Sequence, residues 1–178
     1  MFYFVFQEID VEKYTLMLKN IQSLLMNAVI AAVYAVLTIG LSPVSYGPIQ
    51  VRLSECMVLL AFYNRKWIPG LTIGCLLANL NSPFGVTDIV VGTTATLVSL
   101  LLMRFASNVF TASLAPVLIN GIFIGLELAW LSQIGTGDSL IGVMAYIGLG
   151  EFVSVSIIGV VFFHVLLKNP VLKKYIMD

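Results

Sequence analysis

Charge is what this 178-residue chain has least of. Only 10% of its residues are Asp, Glu, Lys or Arg, while 60% are hydrophobic, and the mean hydropathy is +1.02. That balance excludes a soluble enzyme or a nucleic-acid binder and describes one integral membrane domain. The chain contains a single histidine, His164, near the end of its last apolar run, and two cysteines, Cys56 and Cys75, with no paired spacing. A disulfide framework and a His/Cys metal site are therefore not expected, and both thiols read as packing residues. No Walker-type phosphate loop is present, so the chain does not drive movement by its own ATP hydrolysis. No Ser/His dyad or paired-Asp motif is present either, so an enzyme is not expected. No cofactor is implied. No internal repeat is evident, which argues against the inverted-repeat transporters.

What charge there is lies in a pattern. Lys13 and Lys19 precede the first apolar run, Arg65 and Lys66 follow the second, Arg104 follows the fourth, and Lys168, Lys173 and Lys174 follow the last. The connections Ser42–Gln50, Asn81–Thr87 and Ser132–Ser139 carry no Lys or Arg. By the positive-inside rule this alternation predicts an all-α bundle of six transmembrane helices with both termini cytoplasmic. The predicted spans are Ser23–Leu41, Ile49–Tyr63, Trp67–Leu80, Val86–Met103, Ser113–Leu131 and Leu140–Leu167. Residues 1–22 read as a cytoplasmic or interfacial leader, 23–169 as the membrane domain and 170–178 as a cytoplasmic tail. The second and third spans are short, and the third carries Pro69, Gly70 and Gly74, which suggests a cavity at their ends.

Arg52 is the one cation outside the basic rim, against Glu55, Asp88, Glu127, Asp138 and Glu151. An ionised carboxylate at a span centre costs at least ~2.5 kcal/mol, so such groups face an interior and have partners. Arg52 and Glu55, three apart, are expected to share a helical face and pair; a purely structural ion pair is the plain alternative. Asp88, Glu127 and Glu151 have no cation on their own helices. Ionised, they call for a cation or a multiple hydrogen-bond donor from outside; protonated, they would suit a proton relay.

Helical phase gathers these groups. Asn120, Phe123, Glu127 and Trp130 form one stripe, Gly148, Glu151 and Ser154 a second, and Asp88, Gly92 and Thr96 a third. Tyr46, Phe84, Trp130 and Tyr146 lie near the outer ends, where an aromatic belt is the ordinary reading. Asn79 and Asn81 sit at the end of the third span, where Asn commonly caps or turns. Carboxylates beside flat faces suit a small planar heterocycle bearing amino groups. The connection Ser42–Gln50, with two prolines and a glycine around Tyr46, reads as an ordered lid over that ligand. On the first span Ala28 and Ala32, and Ala31 and Ala35, are four apart, leaving room for another helix to approach, inside the bundle or from outside it.

These segments resemble a known family. The run Ser42-Pro-Val-Ser-Tyr-Gly-Pro-Ile-Gln-Val-Arg-Leu-Ser-Glu55 is similar to the opening motif of the QueT family. So are Gly74-Cys-Leu-Leu-Ala-Asn79, Asp88-Ile-Val-Val-Gly-Thr-Thr-Ala-Thr96, Asn120-Gly-Ile-Phe-Ile-Gly-Leu-Glu127 and Gly148-Leu-Gly-Glu151. The likeness runs from about Leu24 to Lys168. It implies a substrate-binding (S) component of an energy-coupling factor transporter in the bacterial cytoplasmic membrane. Such a subunit captures a queuosine precursor such as 7-aminomethyl-7-deazaguanine from outside and docks on one transmembrane coupling subunit and two ATPases. The implied ligand is cationic at its aminomethyl group and offers N–H donors along its guanine-like edge. Ligand contacts are then expected from Glu127, Glu151, Asp88, Asn79, Arg52, Glu55, Asn120, Tyr46 and Trp130, and the coupling face from Ala28, Ala31, Ala32 and Ala35. A stand-alone proton-coupled transporter of a small cationic heterocycle is the other reading of the same carboxylates.

Overall fold

The computed structural model describes residues 2–47, 50–135 and 137–177, with side chains at residue 17 and from residue 20 onward. Pro48 and Ile49, the expected start of the second span and part of the lid, lie outside the described residues. The described chain is all-helical, and seven helices organise it. They are α1 (Phe2–Gly40), α2 (Leu53–Tyr63), α3 (Ile68–Asn79), α4 (Val86–Leu102), α5 (Val109–Trp130), α6 (Leu140–Leu166) and α7 (Pro170–Met177). Four segments are long and apolar enough to cross a bilayer: Asn20–Gly40 within α1, Val86–Phe105, Val109–Trp130 and Leu140–Leu166. The helices α2 and α3 are shorter.

The expected leader and the first span form one helix of 39 residues. At 1.5 Å per residue such a helix is about 58 Å long, roughly twice the hydrocarbon core, so its first half extends beyond the apolar layer. The helix α2 is not a regular span. Arg52 is extended (φ −92°, ψ 102°), Leu53–Leu59 is a tight 3-10 helix, and only Leu60–Tyr63 is α-helical. A 3-10 turn rises faster than an α turn, so few residues reach deep into the bundle. The helix α6 deviates in the opposite sense. Its middle, Phe152–Gly159, is a π-helix that starts on the residue after Glu151, and wide turns of this kind recur at functional sites.

Packing closes a ring in the order α1, α3, α4, α5, α6, α2 and back to α1. The closest seam is between α1 and α3. A side chain on Gly74 would meet Ala31 backbone atoms at 3.0 Å and the Tyr34 Cβ at 2.8 Å, so only glycine permits this approach. Ala31 and Ala35 are buried in that seam, whereas Ala28 and Ala32 are exposed on the outer surface. The alanine stripe thus divides between two surfaces, and only half of it remains open to an external partner. A core of Tyr34, Leu59, Trp67, Leu71, Leu100, Met103, Val155 and Phe163 fills the lower half of the ring.

At the basic end the chain is tied down by hydrogen bonds. Asn64 Nδ2, Lys66 Nζ and Trp67 Nε1 donate to the carbonyls of Met177, Tyr175 and Ile176 at 2.9, 3.2 and 3.1 Å. Three of the carbonyls that the last turn of α7 would leave open thereby gain partners. The expected tail is thus a docked amphipathic helix.

Candidate functional site

The opposite end is polar and buried. The segment just before α2 and the helices α2, α3, α4, α5 and α6 bring Arg52, Glu55, Asn79, Asp88, Asn120, Glu127 and Glu151 inside the ring, each no more than 4% exposed. One cation faces four carboxylates.

The ion pair differs from the expected one. Arg52 Nη2 lies 3.6 Å from Asp88 Oδ2, joining the extended segment before α2 to the first turn of α4. Glu55 is engaged by Tyr34 instead, whose hydroxyl donates to Glu55 Oε1. The reason is backbone geometry. Arg52 is the extended residue just before the helix, and from there its side chain runs toward the Ser45 carbonyl and Asp88, while Glu55, one turn on, meets Tyr34. Arg52 Nε donates to the Ser45 carbonyl at 3.3 Å, and its guanidinium lies 5.2 Å from the Tyr46 ring centroid.

Asn79 is no surface cap. It is fully buried, and its Nδ2 donates to the Asp88 carbonyl at 3.1 Å, bracing the first turn of α4. Gly92 makes the space: a Cβ there would stand 2.7 Å from both Asn79 Nδ2 and Asp88 Oδ1. Beneath it, Cys75 Sγ approaches Thr96 Oγ1 at 3.2 Å, placing this unpaired thiol in packing contact with the site. Across the ring, Asn120 Nδ2 donates to Glu151 Oε1 at 2.8 Å.

Many polar atoms here have no hydrogen-bond partner in the protein. Arg52 Nη2, Glu55 Oε2, Asn79 Oδ1, both Asp88 oxygens and Asn120 Oδ1 make no hydrogen bond, nor do both Glu127 oxygens and Glu151 Oε2. A buried polar group left unpaired costs about 1–3 kcal/mol, and more if charged. Such a concentration marks a place that receives hydrogen bonds from something else.

The aromatic expectations divide. Tyr46 is half-buried, its hydroxyl donates to the Ala78 carbonyl at 2.7 Å, and it shields Arg52. Trp130 is 84% exposed and lies outside the cluster. It occupies the last residue of α5, and the structure does not bury it with the other expected ligand contacts. Tyr146 is exposed, as is Asn81. Sequence reasoning missed Tyr34, the partner of Glu55, and the buried hydroxyls of Ser45 and Thr93, which also lack partners. Tyr34 had a signal: it is the one phenol in the first apolar run, on the same inward stripe as Ala31, Ala35 and Thr38.

Described residues that are all helical, with four segments apolar enough to cross a bilayer around a buried, charge-bearing cluster, define a multi-pass membrane protein. The family described as QueT transporter matches residues 24–168, and the chain belongs to that family. A curated relative, the "Queuosine precursor transporter QueT" of Lactococcus lactis subsp. cremoris (strain MG1363), is 49% identical over 75 residues. That match covers 41% of this chain and 44% of the relative, so the chain spans under half the relative's length in the comparison. No solved structure matches.

Proposed function

We propose that the protein is the substrate-capture subunit of an energy-coupling factor importer and binds a queuosine precursor, 7-aminomethyl-7-deazaguanine or a close relative. In this reading six segments cross the bacterial cytoplasmic membrane, both termini are cytoplasmic, and the carboxylate cluster opens outward. The observation that carries it is the set of buried carboxylate and amide oxygens without partners, concentrated around Glu127, Glu151, Asp88 and Asn120. Four carboxyl groups against one guanidinium leave acceptors for a cationic aminomethyl group, whose arrival favours their ionised form. Glu127, with two open oxygens, has the geometry to accept paired N–H donors from a guanine-like edge. The relative named as a queuosine precursor transporter supports the same ligand class. Tyr46 and the connection around it would cover the bound heterocycle, and the exposed Ala28 and Ala32 would face a coupling subunit that carries two ATPases.

Calorimetric titration of the purified protein with 7-aminomethyl-7-deazaguanine, guanine and thiamine tests this. Saturable binding strongest for the deazaguanine is expected, and no binding of any deazaguanine overturns the reading. Uptake that needs the ATPase-bearing module is expected in vesicles. Uptake by the protein alone under a pH gradient would assign it to proton-coupled secondary transport.

A further inference from the structure

The basic end holds a second feature, unrelated to the carboxylates. An open groove of about 1050 Å³ separates α7 from α1. Its polar groups are Gln22, Ser23, Lys66 and Lys174, and Met26, Trp67 and Val171 supply apolar wall. Among the described residues that line it, none carries a carboxylate. The Lys66 ammonium lies 4.5 Å from the Trp67 ring centroid and spends one donor on the Tyr175 carbonyl, leaving two. Lys174 is exposed, and Lys168 and Lys173 are on the same short stretch of chain.

The setting is a membrane surface. The helix α7 buries Ile176 but exposes Val171, Leu172, Tyr175 and Met177 beside its lysines, the pattern of a helix lying at the headgroup level. Directly along α1 from Ser23 and Met26, Leu24, Leu25, Val29 and Val33 are exposed, a surface for acyl chains. A soluble anion would match the lysines alone. A phospholipid matches the lysines, the apolar wall and the adjoining greasy helix face together.

The geometry points to a binding site for one anionic phospholipid. Its phosphate is held between Lys66 and Lys174, with Ser23 and Gln22 donating to it, and its tails lie along α1. The inference rests on the membrane setting and not on which ligand the carboxylates bind.

The test uses the full chain reconstituted with equal parts phosphatidylglycerol and phosphatidylcholine, extracted, and analysed by native mass spectrometry for retained lipid. One phosphatidylglycerol per protein is expected, in preference to phosphatidylcholine. The Lys66→Gln/Lys174→Gln double variant should lower that retention about thirtyfold, and the Lys66→Arg/Lys174→Arg variant should keep it, since each of the two basic groups near a lipid surface contributes on the order of 1 kcal/mol. Equal retention of the two lipids, or undiminished phosphatidylglycerol on the folded glutamine variant, overturns the site. Because Lys66 also holds α7, Ser23→Trp provides a second reading: it fills the groove, keeps both lysines, and should abolish retention. Undiminished retention there overturns the site even if the double variant does not fold. Displacement of the lipid by inorganic phosphate would make this a soluble-anion site and overturn the lipid assignment. Deazaguanine titration of the same preparation reports on the carboxylate cluster separately.

Discussion

The two ends of the ring use polar groups in opposite ways. At the basic end, the side-chain donors of Asn64, Lys66 and Trp67 find carbonyls of α7, and Asn27 ties Lys66 and Gly70 to α1 through bonds of 2.8–2.9 Å. At the acidic end, buried oxygens of Glu127, Asp88, Glu55 and Glu151 stand without hydrogen-bond partners. The first arrangement lowers the free energy of the fold as it stands. The second raises it, which is tolerable only because the Arg52–Asp88 pair and the Tyr34–Glu55 and Asn120–Glu151 bonds offset part of the penalty. One end is built for structure; the other is left incomplete in the manner of a receptor.

The sharpest way to break this comparison is to remove the one cation. Arg52→Gln leaves Asp88 buried without a counter-charge and should destabilise the protein by about 3–5 kcal/mol, read as thermal unfolding in detergent. Adding Asp88→Asn should recover much of the loss. A wild-type melting temperature for Arg52→Gln would mean that the pair contributes nothing to the fold.

The carboxylates should respond differently, in binding more than in stability. Glu127→Gln and Glu151→Gln are each expected to weaken deazaguanine binding by about 1.5–3 kcal/mol, the worth of a hydrogen bond to a charged group. Folding should be little changed, because the substitution removes a charge and no packing volume. Unchanged affinity in both folded variants would move the ligand away from the cluster.

The divided alanine stripe offers a contrast within one helix. Ala31→Leu adds bulk where Gly74 meets α1 and should cost roughly 1–3 kcal/mol of stability, as overpacking does. Ala28→Leu with Ala32→Leu points outward, so fold and ligand binding should survive while uptake with the coupling module falls. Full uptake by that stable variant would place the docking surface elsewhere.

The smallest effects should sharpen the contrast between the ends. Asn64→Ala removes both the bond to Met177 and the cap on Lys66, and should cost about 1 kcal/mol of stability with ligand affinity unchanged. Trp130→Ala, at an exposed position, should alter ligand affinity by less than about 0.5 kcal/mol. A larger loss would return Trp130 to the binding site.

Much of the scaffold was legible in advance because apolar run length and Lys/Arg placement are local properties. The runs read as Val86–Met103, Trp67–Leu80 and Leu140–Leu167 appear as Val86–Leu102, Ile68–Asn79 and Leu140–Leu166. The burial of Asp88, Asn120, Glu127 and Glu151 followed from helical phase, since steps of three or four residues fix which groups share a face. Trp130 fits the same phase arithmetic, yet at the end of α5 no neighbouring helix covers it.

Composition and periodicity alone determined that this chain is helical, belongs in a membrane and hides its acids, because water and lipid act on each residue by its own chemistry. Which acid meets Arg52, which alanines remain outside, and where the 3-10 and π segments fall were decided only in the tertiary structure. Those outcomes depend on groups far apart in sequence arriving at one place: Arg52 at Asp88, Tyr34 at Glu55, Gly74 at Ala31. A single glycine or an extended residue shifts such a meeting by ångströms, and hydrogen bonds and ion pairs are decided at that scale.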